Sequence, residues 1–298
     1  MIWVIGCNGM LGTQLCKCLK DADIEYTGTD RNADITDISS LEAFVQDKKI
    51  DFIINCAAYT AVDKAESDEA LARKLNSDGP RNIAKVAKKI GATLIHISTD
   101  YVFDGTGDTP RTEDMAIAPI GVYGKTKAEG EDSVKSNCDK YYVLRTAWLY
   151  GYAGKNFVYT MIKAMNTHPA VKVVCDQRGT PTWTGTLADV ILRIVNKAQS
   201  LDAIPYGIYH VTDEGETTWH AFTVEIKKQA LTKGWLTNPD CTVNSCTTQE
   251  YPTPAKRPAY SVLSKAKIQK ALGFTLPQWQ ESLSKFLNDS DFDKTRLE

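Results

Sequence analysis

Tyr123 and Lys127 stand four residues apart in a stretch, residues 122–136, whose pattern predicts a helix. That spacing puts both side chains on one helical face, within reach of a common point. A phenol ionises near a pH of about 10, too high for ready proton exchange around neutrality. A neighbouring ammonium favours the phenolate and lowers that value. A Tyr–Lys pair is therefore an acid suited to protonating a carbonyl oxygen as hydride reaches the carbon. Just upstream, Ser98, Thr99 and Asp100 follow an apolar run, residues 93–97, that would deliver them at the end of a strand. Two exposed helix residues would show the same spacing, so the pair gains meaning only from its setting.

That setting begins at the first residues. An apolar run, residues 2–5, leads into Gly6-Cys-Asn-Gly9-Met-Leu-Gly12 and an amphipathic stretch to Lys20: strand, glycine turn, helix. Glycines there permit a tight turn and let backbone approach a phosphate. The helix N-terminus then offers free N–H groups and partial positive charge. The spacing is GxxGxxG rather than GxGxxG, so position in the chain carries the reading. A second strand, residues 24–29, closes at Asp30, about where an acidic residue reaches the adenosine ribose hydroxyls. Asp30 favours NAD, because a 2′-phosphate would meet a carboxylate, whereas the adjacent Arg31 would hold that phosphate. Both cofactors stay open.

Ser39-x-x-Glu42 forms a capping-box pattern for a helix over residues 41–48. Residues 51–58 make a third strand that ends in Ala57 and Ala58, small enough to leave room for a flat ligand beside the sheet. Helices are expected at 64–76 and 81–90, a fourth strand at 93–97 and a fifth at 141–146. This alternation predicts an α/β fold with a Rossmann-type doubly wound parallel sheet. Residues 171–175 and 187–198 are expected to extend that sheet. A helix over 156–166, a short strand at 208–211, a helix at 219–233, a Thr- and Pro-rich segment at 238–258 and two terminal helices suggest a smaller mixed α/β domain over the cleft. The expected division is residues 1–147 plus roughly 171–207 for a dinucleotide, and roughly 148–170 plus 208–298 for a substrate.

Composition narrows the field. An apolar fraction of 43% and a charged fraction of 24% are those of a globular protein with a sizeable core. A net charge of −2, with scattered Lys and Arg, gives no electrostatic case for nucleic acid. The eight Cys show no metal or disulfide spacing and the four His are far apart, which points to free thiols in a reducing compartment. No basic leader or long apolar run opens the chain, and no run of about 18 apolar residues occurs, so neither a secretory signal nor a membrane span is expected. The expected location is the cytoplasm.

Several strings together resemble the extended short-chain dehydrogenase/reductases and, within them, the dTDP-4-dehydrorhamnose reductase family. They are the glycine turn, Asp30, Asn55-Cys-Ala-Ala-Tyr-Thr-Ala-Val-Asp-Lys-Ala-Glu66, Ser98-Thr-Asp-Tyr-Val-Phe103, Tyr123-x-x-x-Lys127, Arg145-Thr-Ala-Trp-Leu-Tyr150, Gly179-Thr-Pro-Thr182 and Tyr251-Pro-Thr-Pro-Ala-Lys-Arg-Pro258. The resemblance implies reduction of the C4 ketone of dTDP-4-dehydro-L-rhamnose, a 6-deoxy-L-sugar nucleotide, by NADPH or NADH. It implies that Tyr123 protonates the developing alkoxide, Lys127 tunes Tyr123 and binds the nicotinamide ribose, and Thr99 donates to the same oxygen. Gly6, Gly9, Met10, Leu11 and Gly12 would surround the cofactor pyrophosphate. Asp30, Arg31, Asp34 and Ile35 would line its adenosine end, and Ala57, Ala58, Tyr59 and Thr60 its ribose and nicotinamide. Thr99, Asp100, Tyr101, Trp148, Asn156, Phe157 and Arg257 would meet the sugar nucleotide, Arg257 at its diphosphate.

One departure matters. Some members of that family bridge subunits with Mg²⁺ through glutamates, and the matching positions here are Gln14 and Gly185. A hard divalent cation wants charged oxygens, so the resemblance does not carry Mg²⁺ over, and a monomer or weak homodimer is expected. Two other functions compete. A nucleotide-sugar dehydratase would need a second acid after Asp100, where Tyr101 stands; an epimerase would keep its cofactor and return the hydride. A non-catalytic NADP-binding regulatory subunit, of the methionine adenosyltransferase type, would not need Thr99, Tyr123 and Lys127 intact.

Overall fold

Ile2, Trp3, Val4 and Ile5 are all buried, although successive strand residues point to opposite faces. The reason is that β1 (Ile2–Ile5) lies inside a sheet covered on both sides. The computed structural model describes residues 1–200 and 203–297. After β1 come α1 (Met10–Asp21), β2 (Tyr26–Thr29), α2 (Ile38–Val45), β3 (Phe52–Asn55), α3 (Val62–Ala65), α4 (Glu69–Arg73), α5 (Gly79–Ile90), β4 (Thr93–Thr99), α6 (Val122–Asn137) and β5 (Tyr141–Thr146). With the strand Gly207–His210 these strands form one parallel sheet in the order β2, β1, β3, β4, β5, Gly207–His210. The winding reverses between β1 and β3, and in open α/β sheets the crevice beyond the strands' carboxyl ends at such a point binds ligands.

Strand alternation sorts the core into two layers. Ile2, Val4, Ile54, Tyr142 and Leu144 pack with Leu11, Leu15 and Leu19 of α1 and with Leu187, Ile191 and Ile194. Trp3, Ile5, Ile53, Leu94 and Val143 pack with Leu41 and Val45 of α2, Ile83 and Val86 of α5, and Val134 of α6. A third, aromatic cluster, with Tyr150, Tyr159, Phe222, Trp279 and Phe286, belongs to the second half of the chain.

Several boundaries differ from expectation for local reasons. Asp37, not Ser39, caps α2: its carboxylate accepts the Ser39 amide at 3.0 Å, so the helix starts earlier. The helix expected over 64–76 is broken into α3 and α4, and a π-type turn, Lys74–Asp78, leads into α5. The strand expected to extend the main sheet from 171 does not join it. Ala170–Val174 pairs in parallel with Thr242–Cys246 instead, forming a separate two-stranded sheet. The strand expected at 208–211 in the smaller domain instead takes the main sheet's edge as Gly207–His210, pairing with β5, while the helix α8 (Thr184–Ala198), which follows α7 (Phe157–Thr167), covers one sheet face.

Candidate active site

Gly6 has φ +77, and a Cβ there would lie 2.8 Å from the Ala57 amide nitrogen, so only glycine lets the turn after β1 pass the end of β3. At Gly12 a side chain would collide with the Gly6 carbonyl, which brings α1 hard against the turn. Gly9 caps α1 with no side-chain hydrogen bond. The first-turn amides are therefore left for a ligand, and the donor set suits a pyrophosphate.

A cavity of about 440 Å³ opens from this turn along the carboxyl ends of the strands. Gly9, Met10 and Leu11 line it together with Ala58 and Thr60 after β3, Thr99, Asp100 and Tyr101 after β4, Tyr123 and Lys127 of α6, and Trp148 after β5. Residues more than a hundred positions apart in sequence thus meet at one mouth, as the sheet topology requires.

Lys127 is 2% exposed, and its ammonium donates to the Ile97 carbonyl at 2.6 Å. Burial pulls its pKa down to about 8, against the Glu131 carboxylate, which raises it. Burial pushes the Tyr123 phenol well above its ordinary value, the Thr99 hydroxyl pulls it back, and Asp100 and Tyr101 push it further up. Burial is the largest of these influences, and it favours the protonated phenol. Thr99 is oriented from two sides, accepting the Tyr101 amide at 3.2 Å and donating to Asp100 Oδ1 at 2.9 Å. Asp100 is raised to about 6 by burial, with the Thr99 hydroxyl opposing. Tyr101 sets its ring edge-on to Tyr123 at 5.4 Å.

Trp148 has φ +47, a left-handed conformation strained for a bulky residue, and its indole stacks on Trp219 at 3.6 Å and 10°. Gly179 makes this possible, since a Cβ there would lie 2.6 Å from Trp148 Cε2. Trp219 also lines an adjoining cavity of about 320 Å³, shared with Phe157, Met161, Lys172, Tyr251 and Arg257. Arg257 donates to Asp63 Oδ2 at 2.8 Å and to the Tyr101 hydroxyl at 3.2 Å. Two of its five N–H donors are thereby spent on holding its position.

Other candidates lie elsewhere. Asp30 sits at the end of β2, held by Asn8 of the glycine turn at 3.1 Å, with Arg31 exposed beside it. Asp34 closes its own turn onto Thr36, at 2.8 Å to both amide and hydroxyl, and those bonds lower its pKa. Ile35 is buried in the core and Tyr59 hydrogen-bonds Asp68 and Asn76; neither lines the cavity. Asn156 also lies outside both cavities. It caps α7, accepting the Tyr159 amide at 3.2 Å and donating to the Gly151 carbonyl at 2.6 Å. Trp219 and Lys155 line the main cavity and stand in no recognised motif. For Lys155 the only sequence signal is a charge just ahead of the Asn156 cap; for Trp219 there is none.

Chemically, the arrangement presents a protonated phenol and an oriented hydroxyl across a cleft from an anion-binding turn, with a buried amine between. That suits addition of hydride to a carbonyl with protonation of its oxygen.

Comparisons with known proteins bear on the family and the fold. The family described as RmlD substrate binding domain matches residues 1–292. A dTDP-4-dehydrorhamnose reductase from Streptomyces griseus is 40% identical over 285 residues, 95% of this chain and 91% of the relative. A solved dTDP-4-dehydrorhamnose reductase from Clostridium acetobutylicum superposes with a TM-score of 0.89 at 44% identity, covering 96% of this chain and 98% of that one. One from Bacillus anthracis, in complex with NADP, gives 0.88 at 37% identity, covering 96% and 97%.

Proposed function

The chain belongs to the dTDP-4-dehydrorhamnose reductase family, and we propose from its geometry how its residues divide the work. It is an oxidoreductase that uses a nicotinamide dinucleotide to reduce dTDP-4-dehydrorhamnose in dTDP-rhamnose synthesis. The bound dinucleotide supplies the hydride that adds to the sugar C4.

Tyr123 gives its phenolic proton to the carbonyl oxygen as that oxygen gains charge, so ketone, hydride and proton balance to the alcohol. Burial favours the protonated form of Tyr123, and the proton leaves when an alkoxide more basic than the phenolate develops beside it. Thr99 turns its single hydroxyl proton from Asp100 to the same oxygen when the sugar is bound, and the Tyr101 amide it accepts keeps the hydroxyl in place. Lys127 stays cationic near neutrality, holds the nicotinamide ribose and favours the phenolate once the proton has gone. Gly9, Met10 and Leu11 cradle the dinucleotide pyrophosphate, Asp30 and Arg31 meet the adenosine ribose, and Arg257 meets the sugar-nucleotide diphosphate with the donors Asp63 leaves free. Tyr101 carries a phenol already engaged by Arg257, which leaves a dehydratase without its second acid.

The division of labour follows the packing. The sheet, α1–α6, α8 and the strand Gly207–His210 hold the dinucleotide; the aromatic cluster around Phe222 and Phe286 and the paired strands Ala170–Val174 and Thr242–Cys246 hold the sugar nucleotide. Eight free thiols suit a cytoplasmic enzyme, and with Gln14 and Gly185 at the bridging positions it works as a monomer or weak homodimer. Among the described residues no helix is long and apolar enough to cross a membrane.

The convergence of Tyr123, Lys127 and Thr99 on the cavity that starts at the glycine turn carries this reading. The test is loss of nicotinamide absorbance with dTDP-4-dehydrorhamnose, run with NADPH and NADH in parallel. Stoichiometric oxidation is expected with at least one. Tight NADPH binding without oxidation would move the protein to the regulatory class.

A further inference from the structure

We propose that Lys155 is the cation that anchors the dinucleotide pyrophosphate, reaching the glycine turn from the opposite wall of the cleft. Lys155 is exposed and lines the same cavity as Gly9 and Met10. Among the described residues it makes no hydrogen bond or ion pair, so its charge is uncommitted.

The loop that carries it is held in place from three directions. Asn156, next in sequence, fastens it to the start of α7 and to the Gly151 carbonyl. Arg296, in the terminal turn Lys294–Leu297, donates to the Tyr152 and Gly154 carbonyls. Gly154, at φ +66, passes close enough to the glycine turn that a Cβ there would rest 3.8 Å from Met10 Cβ. A lysine on such a loop is delivered to the pyrophosphate end of the cleft with only its own flexible stem left to adjust.

Charge balance assigns it to that end. A dinucleotide pyrophosphate brings two negative charges, and a helix N-terminus offsets only about half of one. The glycine turn itself, residues 6–12, has no basic side chain. Lys17 of α1 is paired with Asp21 at 2.8 Å, and Lys127, beside Tyr123, is assigned above to the nicotinamide ribose. The second diphosphate of the ternary complex, on the sugar nucleotide, has Arg257 and Lys172 in the adjoining cavity. Lys155 is the cation left over for the first. A compact ammonium on a flexible stem suits a phosphate as a point charge. The inference rests on the cofactor placement proposed above.

The test is NADPH affinity, measured by nicotinamide fluorescence without sugar nucleotide, at low and high salt, for wild type, Lys155→Met and Lys155→Arg. Lys155→Met should bind NADPH about 10- to 100-fold more weakly, show a shallower salt dependence, and carry its kinetic loss in KM for the dinucleotide rather than in kcat. Lys155→Arg should recover most of the affinity. Unchanged NADPH affinity in Lys155→Met, with wild type binding normally, overturns the inference and leaves the cofactor placement standing. A loss confined to KM for the sugar nucleotide puts Lys155 at the other diphosphate and overturns it too. Wild type that binds no NADPH sinks both.

Discussion

One turn of α6 separates Lys127 from Glu131, and one residue of β4 separates Thr99 from Ser98, yet the two polar groups they build are opposites. Glu131 accepts from Ser98 Oγ at 2.5 Å and from Arg145 at 2.9 Å and 2.7 Å, a bidentate pair with both side chains almost wholly buried. The Arg145 guanidinium also lies over the Phe103 ring at 5.1 Å and approaches His210 at 3.4 Å. His210 is neutral there, its pKa driven down to about 3 by burial and then by Arg145. Each charge in that group is answered. On the cleft side, among the described residues, Asp100 Oδ2 and Thr146 Oγ1 are buried with no partner at hydrogen-bond geometry, Ser261 only offsets part of the burial of Asp100, and Lys127 has a single backbone acceptor. Charges that are fully answered hold the strand and helix in register. Those with capacity left are free to meet a ligand, at a cost in stability.

The sharpest way to break that contrast is to remove one member from each side. Tyr123→Phe should lower turnover on the order of 10²–10⁴-fold while leaving NADPH affinity and the unfolding midpoint near wild type. NADPH oxidation and thermal unfolding read both. Full turnover would show that another group supplies the proton. Glu131→Ala should act chiefly on stability, costing about 3–5 kcal/mol in urea unfolding because it strands a buried guanidinium, with a smaller loss of turnover as Lys127 loses the carboxylate that raises its pKa. Replacing both partners, Glu131→Leu with Arg145→Met, should recover much of that loss. A Glu131→Ala protein of normal stability but no turnover would erase the distinction between the two groups.

A smaller effect tests the cost on the cleft side. Asp100 has a folded-state pKa of about 6 against an ordinary 3.8. A carboxyl raised in the folded state binds its proton more tightly there than when unfolded. Its contribution to stability is therefore present below the unfolded value and lost as pH rises through the folded one, from about 4 to above 6. Asp100→Asn cannot titrate, so its stability relative to wild type should climb across that window, by about 3 kcal/mol at most, while turnover falls because Thr99 loses its orienting carboxylate. Parallel urea curves at pH 4, 5, 6 and 7 decide it. A relative stability that stays flat would mean that Asp100 is not strained by its burial.

What was legible in the sequence is what local spacing encodes. The glycine turn, the four-residue step from Tyr123 to Lys127 and the strand–helix alternation through residue 146 are short-range patterns, and the sheet follows from them. The partner of Ala170–Val174 was not legible, because nothing local distinguishes an apolar run in a main sheet from one whose neighbour lies 72 residues later, at Thr242–Cys246. Only Val173 of the five residues in Ala170–Val174 is buried, which marks that difference, and burial is a tertiary property. Asn156 shows the converse. The resemblance offers it to the substrate, while the local rule that Asn precedes helices describes the cap it forms. Trp219 and Lys155 could be found only by folding the chain, since each reaches the cleft from an element with no motif.

An unpartnered buried atom is not by itself a sign of chemistry, and Gln14 marks the limit. Its Oε1 is buried without a partner, and its Nε2 makes only a 3.5 Å contact to Cys18 Sγ. The atom is a neutral amide oxygen, and a hard divalent cation wants several charged ones. The nearby carboxylate, Asp291, lies 3.7 Å from the Lys17 ammonium across the small cavity they share with Gln14. At the other position, Gly185 carries no side-chain oxygen, and Asp189 is paired with Arg193 at 2.8 Å. What separates Asp100 from Gln14 is thus formal charge held in a site already lined by an acid and a cation. The expected result of chelation is accordingly no effect: turnover after EDTA treatment should match the untreated enzyme, and added Mg²⁺ should not raise it. Activity lost to EDTA and restored by Mg²⁺ would mean that a neutral orphaned oxygen can anchor a metal here, and the line between the two kinds of buried polar group would have to be redrawn.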